Sequence, residues 1–331
     1  PDLEPGLEGR DDILLFEDFE YDDWETHLSE VSHTENHDAV TDVVFQGERS
    51  LVVRAAAGEH YGCSISFNFA DEGLEEPEEI YFRYYVYIDA SWELDGDGEI
   101  GKFPGFGGTY GVAGWGGQPS DGTNGWSARM MNWDDGATAA VGFYTYHADM
   151  GGTYGTHMRW DGSLERDRWY CVEAHVRMNS ISGESGNNDG ILRGWIDGAP
   201  VFERADLRFR DIDSLKIENI WFNIYVGGEW TASHDMQLHF DNLVVARNPV
   251  GCYSGDAPDD VEPAPDASDP GTEPTPDQEG SPDAPADMPA EQADAADDAV
   301  QDTAPDTQPA DATTDEGESG GDKGCGCGII R

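Results

Sequence analysis

IYFRYYVYI, residues 80–88, decides how the chain is read. Eight of its nine residues are aromatic or β-branched, with Arg83 the exception and no interior Gly or Pro, and the run is too short and too dense in such residues for an amphipathic helix. Working outward, the same composition recurs in GWSARMM (125–131), AVGFYTYH (140–147), WYCVEAHVRMN (169–179), ILRGWID (191–197), IWFNIYV (220–226) and MQLHFDNLVVA (236–246). Gly, Asn, Asp or Pro bounds each run, and no long segment keeps a 3.6-residue period. The expectation is an all-β domain over residues 1–250, a single β-jelly-roll sandwich. Aliphatic residues on one parity and large polar or aromatic residues on the other imply strands with one face in the core and one in a groove.

The composition changes after residue 250. Residues 251–331 hold 22 acidic side chains against Lys323 and Arg331, so they carry −20 of the chain's net −51. Over 251–322, Asp, Pro, Ala, Thr and Glu recur with almost no aliphatics, a composition that cannot bury enough apolar area to offset ordering entropy. A disordered acidic stalk is expected there, followed by GDKGCGCGIIR at the end. Across all 331 residues, 69 acidic side chains face 18 basic ones. That balance excludes a non-specific nucleic-acid binder, which needs dense Lys and Arg against phosphate. No run of about 18 apolar residues is present to span a membrane as a helix. The sequence starts at Pro1 with no charged-then-apolar leader, which reads as processed or trimmed.

Strand parity gathers candidate chemistry. Ser127, Arg129 and Met131 share one face of their run, and Tyr144 and Tyr146 share one face of the next. GKFPGFGG (101–108) brings Lys102, one of only two Lys before residue 251, toward the same sheet on a Gly/Pro-bent approach. GFGGTYG has no following helix, so it is not a phosphate loop, and neither a Gly-x-Ser-x-Gly elbow nor HExxH occurs. Trp115, Trp126, Trp133, Trp195 and Trp221 offer stacking surfaces for sugars. Glu17, Asp18 and Asp241, near the two ends of the domain, are candidate ligands for a structural Ca²⁺. No other cofactor is required. Either Cys63 and Cys171 pair, leaving Cys252 over at the tail junction, or both are free buried thiols.

From Lys102 onward the chain resembles polysaccharide lyase family 14, the alginate and glucuronan lyases. The resemblance rests on GKFPGFGG, GTNGWSARMMNWDDG, YTYHADM, NNDGILRGWIDGAPV, LRFRD and WFNIYVGG, which follow in the family's order over roughly residues 80–246. Phe103 and Phe106 stand where the family favours Leu, Met131-Asn132 where it favours Trp-Arg, and Asn223 to Val226 in place of a Thr-Phe-Phe stretch. The resemblance implies a jelly roll whose concave groove binds an acidic polysaccharide and cleaves it by β-elimination. Lys102, Ser127, Arg129, Tyr144 and Tyr146 are then the catalytic set, with Arg83, Trp115, His147, Asn223 and Tyr225 as further substrate contacts. Elimination needs a neutralised carboxylate, a base and an acid. Arg129 suits the first, with Ser127 as a neighbouring donor. Lys102, Tyr144 and Tyr146 share the other two roles in an order that sequence leaves open.

The alternative is a non-catalytic carbohydrate-binding module, because a domain carrying −31 repels a polyanion within a Debye length of about 8 Å. A locally basic groove or a high-salt habitat would relieve that repulsion. Gly-Cys-Gly-Cys after the acidic spacer, residues 323–331, resembles the C-terminal surface-sorting tails of myxobacteria and their relatives. It implies an extracellular or cell-surface location; a monomer is expected.

Overall fold

The computed structural model describes residues 4, 6, 7, 9–94, 100–227 and 230–253. The expected stalk from residue 254 and the 323–331 end lie outside the described residues. In chain order the strands are β1 (Ile13–Glu17), β2 (Glu30–Ser32), β3 (His37–Val40), β4 (Ser50–Ala55), β5 (Tyr61–Asn68), β6 (Glu79–Ile88), β7 (Ile100–Gly108), β8 (Trp126–Asp135) and β9 (Thr138–Tyr146). They continue with β10 (Thr156–Glu165), β11 (Trp169–Arg177), β12 (Ile181–Ser182), β13 (Ser185–Gly186), β14 (Gly190–Ile196), β15 (Ala199–Leu207), β16 (Asn219–Gly227) and β17 (Met236–Ala246). Two short 3-10 turns are the only helical elements among the described residues, and no helix there is long and apolar enough to cross a membrane.

The strands form a jelly roll of two antiparallel sheets. The back sheet runs β15-β14-β11-β6-β17-β4-β3 with β1 on β17, the front sheet β10-β9-β8-β7-β16-β5-β2, and β12 with β13 makes a separate ribbon. Alternation sorts each strand between core and surface. Phe82, Tyr84 and Val86 of β6 and Leu238 and Phe240 of β17 meet Met130 of β8, Phe143 of β9 and Phe222 and Ile224 of β16 in one apolar layer. The Tyr84 hydroxyl spans that layer to Met130 Sδ at 3.3 Å. Trp126 is fully buried in this core and donates Nε1–H to the Lys216 carbonyl, so it offers no stacking surface.

A bulge in β7 sets what the front sheet shows on its outer side near Lys102. In β7 the pairing with β8 shifts between Phe103 and Gly105, so Phe103 and Phe106 both enter the core while Lys102 faces outward. Pro104, which has no N–H for the ladder, occupies the shift. Residues 100–108 are thus a strand of the sheet itself, where sequence suggested a bent approach to it.

The cysteine expectation is corrected. Cys171 is bonded to Cys252, and Cys63 is free and buried. Cys63 lies in the core between the sheets, whereas Cys171 alternates with core residues Tyr170 and Val172 and so faces away from it. A pair between them is therefore sterically excluded. The disulfide holds a strap at residues 247–253 against the back sheet's outer side. There the N–H groups of Val250 and Gly251 donate to Glu173, and that of Tyr253 to the Tyr85 hydroxyl at 2.6 Å.

Candidate active site

Lys102, Arg129, Tyr144 and Tyr146 stand on one side of the front sheet. β8 and β9 pair without a shift, so Arg129 lies opposite Tyr144 and Ser127 opposite Tyr146. β7 places Lys102 opposite Met131 on one flank and Tyr225 on the other. Lys102 is 0% exposed and Arg129 1%. The Lys102 ammonium lies 3.7 Å from the centre of the Tyr144 ring, a close cation–π contact. The Tyr144 hydroxyl accepts the Gly155 N–H at 3.1 Å and lies 3.4 Å from the Tyr146 hydroxyl. Met131, Tyr144, Tyr146 and Ile100 form a small apolar cluster of their own, with Trp133 and Met150 against it.

Arg129 is held from the β16 side. Gly105 lies directly between Arg129 and Trp221 in the register, and the guanidinium crosses over it toward β16. It stacks 4.1 Å from the Trp221 ring and donates from Nη1 to Asn223 Oδ1 at 2.9 Å. Asn223 in turn donates from Nδ2 to the Cys63 carbonyl at 3.3 Å, which fixes the orientation of its amide. Asn223 therefore orients Arg129, and Tyr225 flanks Lys102: a methyl carbon placed on Gly227 would lie 3.2 Å from the Tyr225 ring and 3.4 Å from Lys102 Cε.

Other expected residues stand elsewhere or face away. Ser127 donates its hydroxyl to the Gly114 carbonyl at 2.6 Å, so that proton is spent on the loop rather than offered beside Arg129. Arg83 is in the back sheet, paired through two nitrogens with Glu4 at 2.7 and 2.6 Å, and takes no part in the groove. Trp115 lies half-buried in the loop after β7, next to the Gly114 that receives Ser127. His147, just past β9, turns Nε2 to the Thr156 hydroxyl at 3.0 Å, and burial holds its pKa below the ordinary value. His157, against the Tyr144 ring at 5.3 Å, and Gly155 went unnoticed in the sequence, and Trp221, expected as a stacking surface for sugars, instead lies under the Arg129 guanidinium. Trp221 was accessible to parity, since it alternates with core residues Ile220 and Phe222 beside Asn223 and Tyr225.

The carboxylates suggested for Ca²⁺ do not fit a cation. Asp241 accepts the backbone N–H groups of Phe45, Gln46 and Asn242, and burial pushes its pKa up to about 7. Glu17 accepts from the Phe19 N–H and contacts His27 Nδ1 at 2.6 Å. Asp18 accepts the Glu20 N–H. No group of three or more His, Cys, Asp or Glu side chains suited to a metal occurs among the described residues.

Comparison with solved structures gives the same two-sheet fold. Alginate lyase Aly36B aligns with TM-score 0.53 at 23% identity, over 67% of this chain and 88% of that one. Alginate lyase vAL-1 from Chlorella virus aligns with TM-score 0.54 at 19% identity, over 67% and 93%. The endo-β-1,4-glucuronan lyase of the fungus Trichoderma reesei aligns with TM-score 0.51 at 14% identity, over 71% and 96%. The comparison with curated protein sequences found no match. The family model for Polysaccharide lyase 14 matches residues 35–243, a span that contains every strand of the front sheet except β2, and with it the whole Lys102–Arg129–Tyr144–Tyr146 constellation. By that match the chain belongs to polysaccharide lyase family 14.

Proposed function

We propose that the protein is a lyase that cleaves a uronic-acid-containing polysaccharide by β-elimination. The observation that carries this reading is the meeting of two almost fully buried cations, Lys102 and Arg129, with the hydroxyls of Tyr144 and Tyr146 on one sheet face. Arg129 grips the uronate carboxylate and stabilises the charge that builds there as the C5–H bond breaks. Tyr144, as phenolate, takes the C5 proton; the Gly155 N–H and the Lys102 ammonium both stabilise negative charge on that oxygen and ring. The C5–H electron pair becomes the C4=C5 double bond, the C4–O4 bond breaks, and Tyr146 gives its proton to the leaving oxygen. A proton passed from Tyr144 to Tyr146 across their 3.4 Å contact restores the starting state. The buried position of both cations supports binding of a polyanion by a chain of net charge −51, because charges act strongly where water is excluded.

The commitment of Ser127 to Gly114 favours a second reading, a non-catalytic carbohydrate-binding module, since one expected donor is turned away from the groove. Incubation with alginate, glucuronan and related uronans separates the two. Cleavage should raise ultraviolet absorbance through the unsaturated uronate, and Arg129→Ala should abolish the rise. Binding without any rise in the wild type would leave the module reading standing and remove the lyase. The Cys171–Cys252 bond supports a secreted or surface-displayed setting, where disulfides persist.

A further inference from the structure

The front sheet carries a second aromatic constellation that the proposed chemistry does not use. The pairing of β5 with β16 shifts between Ile224 opposite Cys63 and Tyr225 opposite Tyr61. By simple alternation Tyr61 would share the core face of Cys63 and Ile65. The extra residue is Gly62, which takes the inward position: a methyl carbon there would lie 2.8 Å from Val53 and 3.1 Å from Ile224, both core residues. The bulge thus turns Tyr61 outward, beside Tyr225 and in the same cross-strand row as Lys102. Around this pair the rings are arrayed. His33 stacks on Tyr61 at 4.4 Å and 9° between planes, Tyr61 meets Tyr225 edge-on at 4.8 Å, and His60 stacks on Tyr225 at 5.3 Å and 13°. His33 is left-handed at φ 60°, a conformation that non-glycine residues adopt rarely. His60 is oriented by a contact from Nδ1 to the Val226 carbonyl at 3.0 Å.

We propose that His33, Tyr61 and His60, backed by the buried Tyr225 ring, form a binding subsite for the sugar residues of an acidic polysaccharide next to the cleaved linkage, on the β5 side of Lys102. The proposal rests on the lyase reading for its substrate class. The direction follows from register. Tyr225 is one strand from Lys102 and Tyr61 two, so the cluster extends about 5–10 Å from the reacting centre, the length of one to two sugar residues. Flat aromatic faces take the apolar faces of sugar rings, and the two imidazoles can hydrogen-bond the hydroxyl or carboxylate edges. A subsite of this kind makes the protein prefer long chains over short oligomers.

The test uses the full chain and purified uronan oligosaccharides of graded length. Tyr61→Ala and, separately, His33→Ala should reduce the ratio of kcat/KM on long chains to that on the shortest cleavable oligomer on the order of tenfold. Tyr61→Phe, which keeps the ring, should restore the ratio. An unchanged ratio in both alanine variants, each shown to melt cooperatively, overturns the subsite and leaves the lyase reading intact. Wild-type protein that yields no unsaturated product overturns the lyase reading instead. Calorimetric titration with the same oligosaccharides then decides the subsite. Affinity that climbs with chain length in the wild type and not in Tyr61→Ala supports it; the same climb in both, or no binding by either, overturns it.

Discussion

Arg129 depends on two side chains that need not touch substrate: Asn223, whose Oδ1 takes one of its N–H groups, and Trp221, against which the guanidinium lies. Replacing Arg129 by Ala removes the group that neutralises the uronate, and loss of such a donor commonly costs on the order of 100-fold or more in turnover. Arg129→Lys keeps the charge but not the planar fork, so it should recover only part of the loss. Asn223→Ala leaves Arg129 present but less well aimed, and should lower kcat/KM on the order of tenfold, the effect of one hydrogen bond to a charged group. Steady-state kinetics on whichever uronan is cleaved checks the ranking. An Asn223→Ala variant as damaged as Arg129→Ala would mean that the amide contacts substrate itself. The Tyr pair was legible at this scale because β8 and β9 pair without a shift, so parity carries over directly into space. Arg83 was not: parity correctly turns it away from the core, but nothing in a strand's own sequence says which of two sheets it joins.

The site is built by strands whose irregularities matter more than their regular parts. The jelly-roll class was readable from dense aromatic and β-branched runs, which almost every central strand displays. The bulges were not readable. GKFPGFGG looks like a loop because Gly and Pro lower strand propensity, yet all nine residues of β7 are buried, and Pro104 sits where the register slips. Gly105 admits no side chain: a Cβ there would come within 2.4 Å of the Ala128 carbonyl oxygen and 2.6 Å of Arg129 Cα, both backbone atoms with nowhere to retreat. Gly105→Ala should therefore force β7 and β8 apart, cost on the order of 2 kcal/mol or more in stability and displace Arg129 from Trp221. Chemical denaturation measures the first effect and uronan turnover the second; a variant with wild-type values for both would show that the strand pair is looser than its register implies. The Cys171–Cys252 bond works at the same scale, closing a loop across 81 residues between β11 and the 247–253 strap. Replacing both cysteines by Ser should cost about 2–4 kcal/mol, read as a lower denaturation midpoint that added reductant does not lower further. A midpoint equal to that of the oxidised wild type would mean that Glu173 and Tyr85 hold the strap unaided.

Over the whole molecule, stability responds to two sets of buried titratable groups that oppose each other. His37, His147, His175 and His239 are all held below their ordinary pKa of 6.5 by burial. An unfolded chain takes up protons on these imidazoles as pH falls below 6.5 while the folded chain does not, so their contribution is present above that pH and lost as the solution is acidified. Asp241 acts in the opposite sense. Burial lifts it from 3.8 to about 7, so across that interval the folded chain keeps a proton that the unfolded chain has released, and stability falls as pH rises from about 4 to 7. His239 and Asp241 lie two residues apart on β17, and single substitutions separate them. His239 is 1% exposed and neither of its ring nitrogens has a hydrogen-bond partner among the described residues, so His239→Phe removes the titration without stranding a partner. Relative to the wild type, this variant should gain stability as pH drops from 6.5 to 5, by at most about 1.4 kcal/mol per pH unit. Asp241→Asn should start lower, because its amide nitrogen opposes a backbone N–H, yet its stability should fall less steeply between pH 4 and 7. Denaturant midpoints at pH 5, 6, 7 and 8 give both slopes. If the His239→Phe curve runs parallel to the wild type through pH 5, the imidazole takes up its proton as readily in the folded chain as in the unfolded one, and the acid sensitivity must come from the other three histidines.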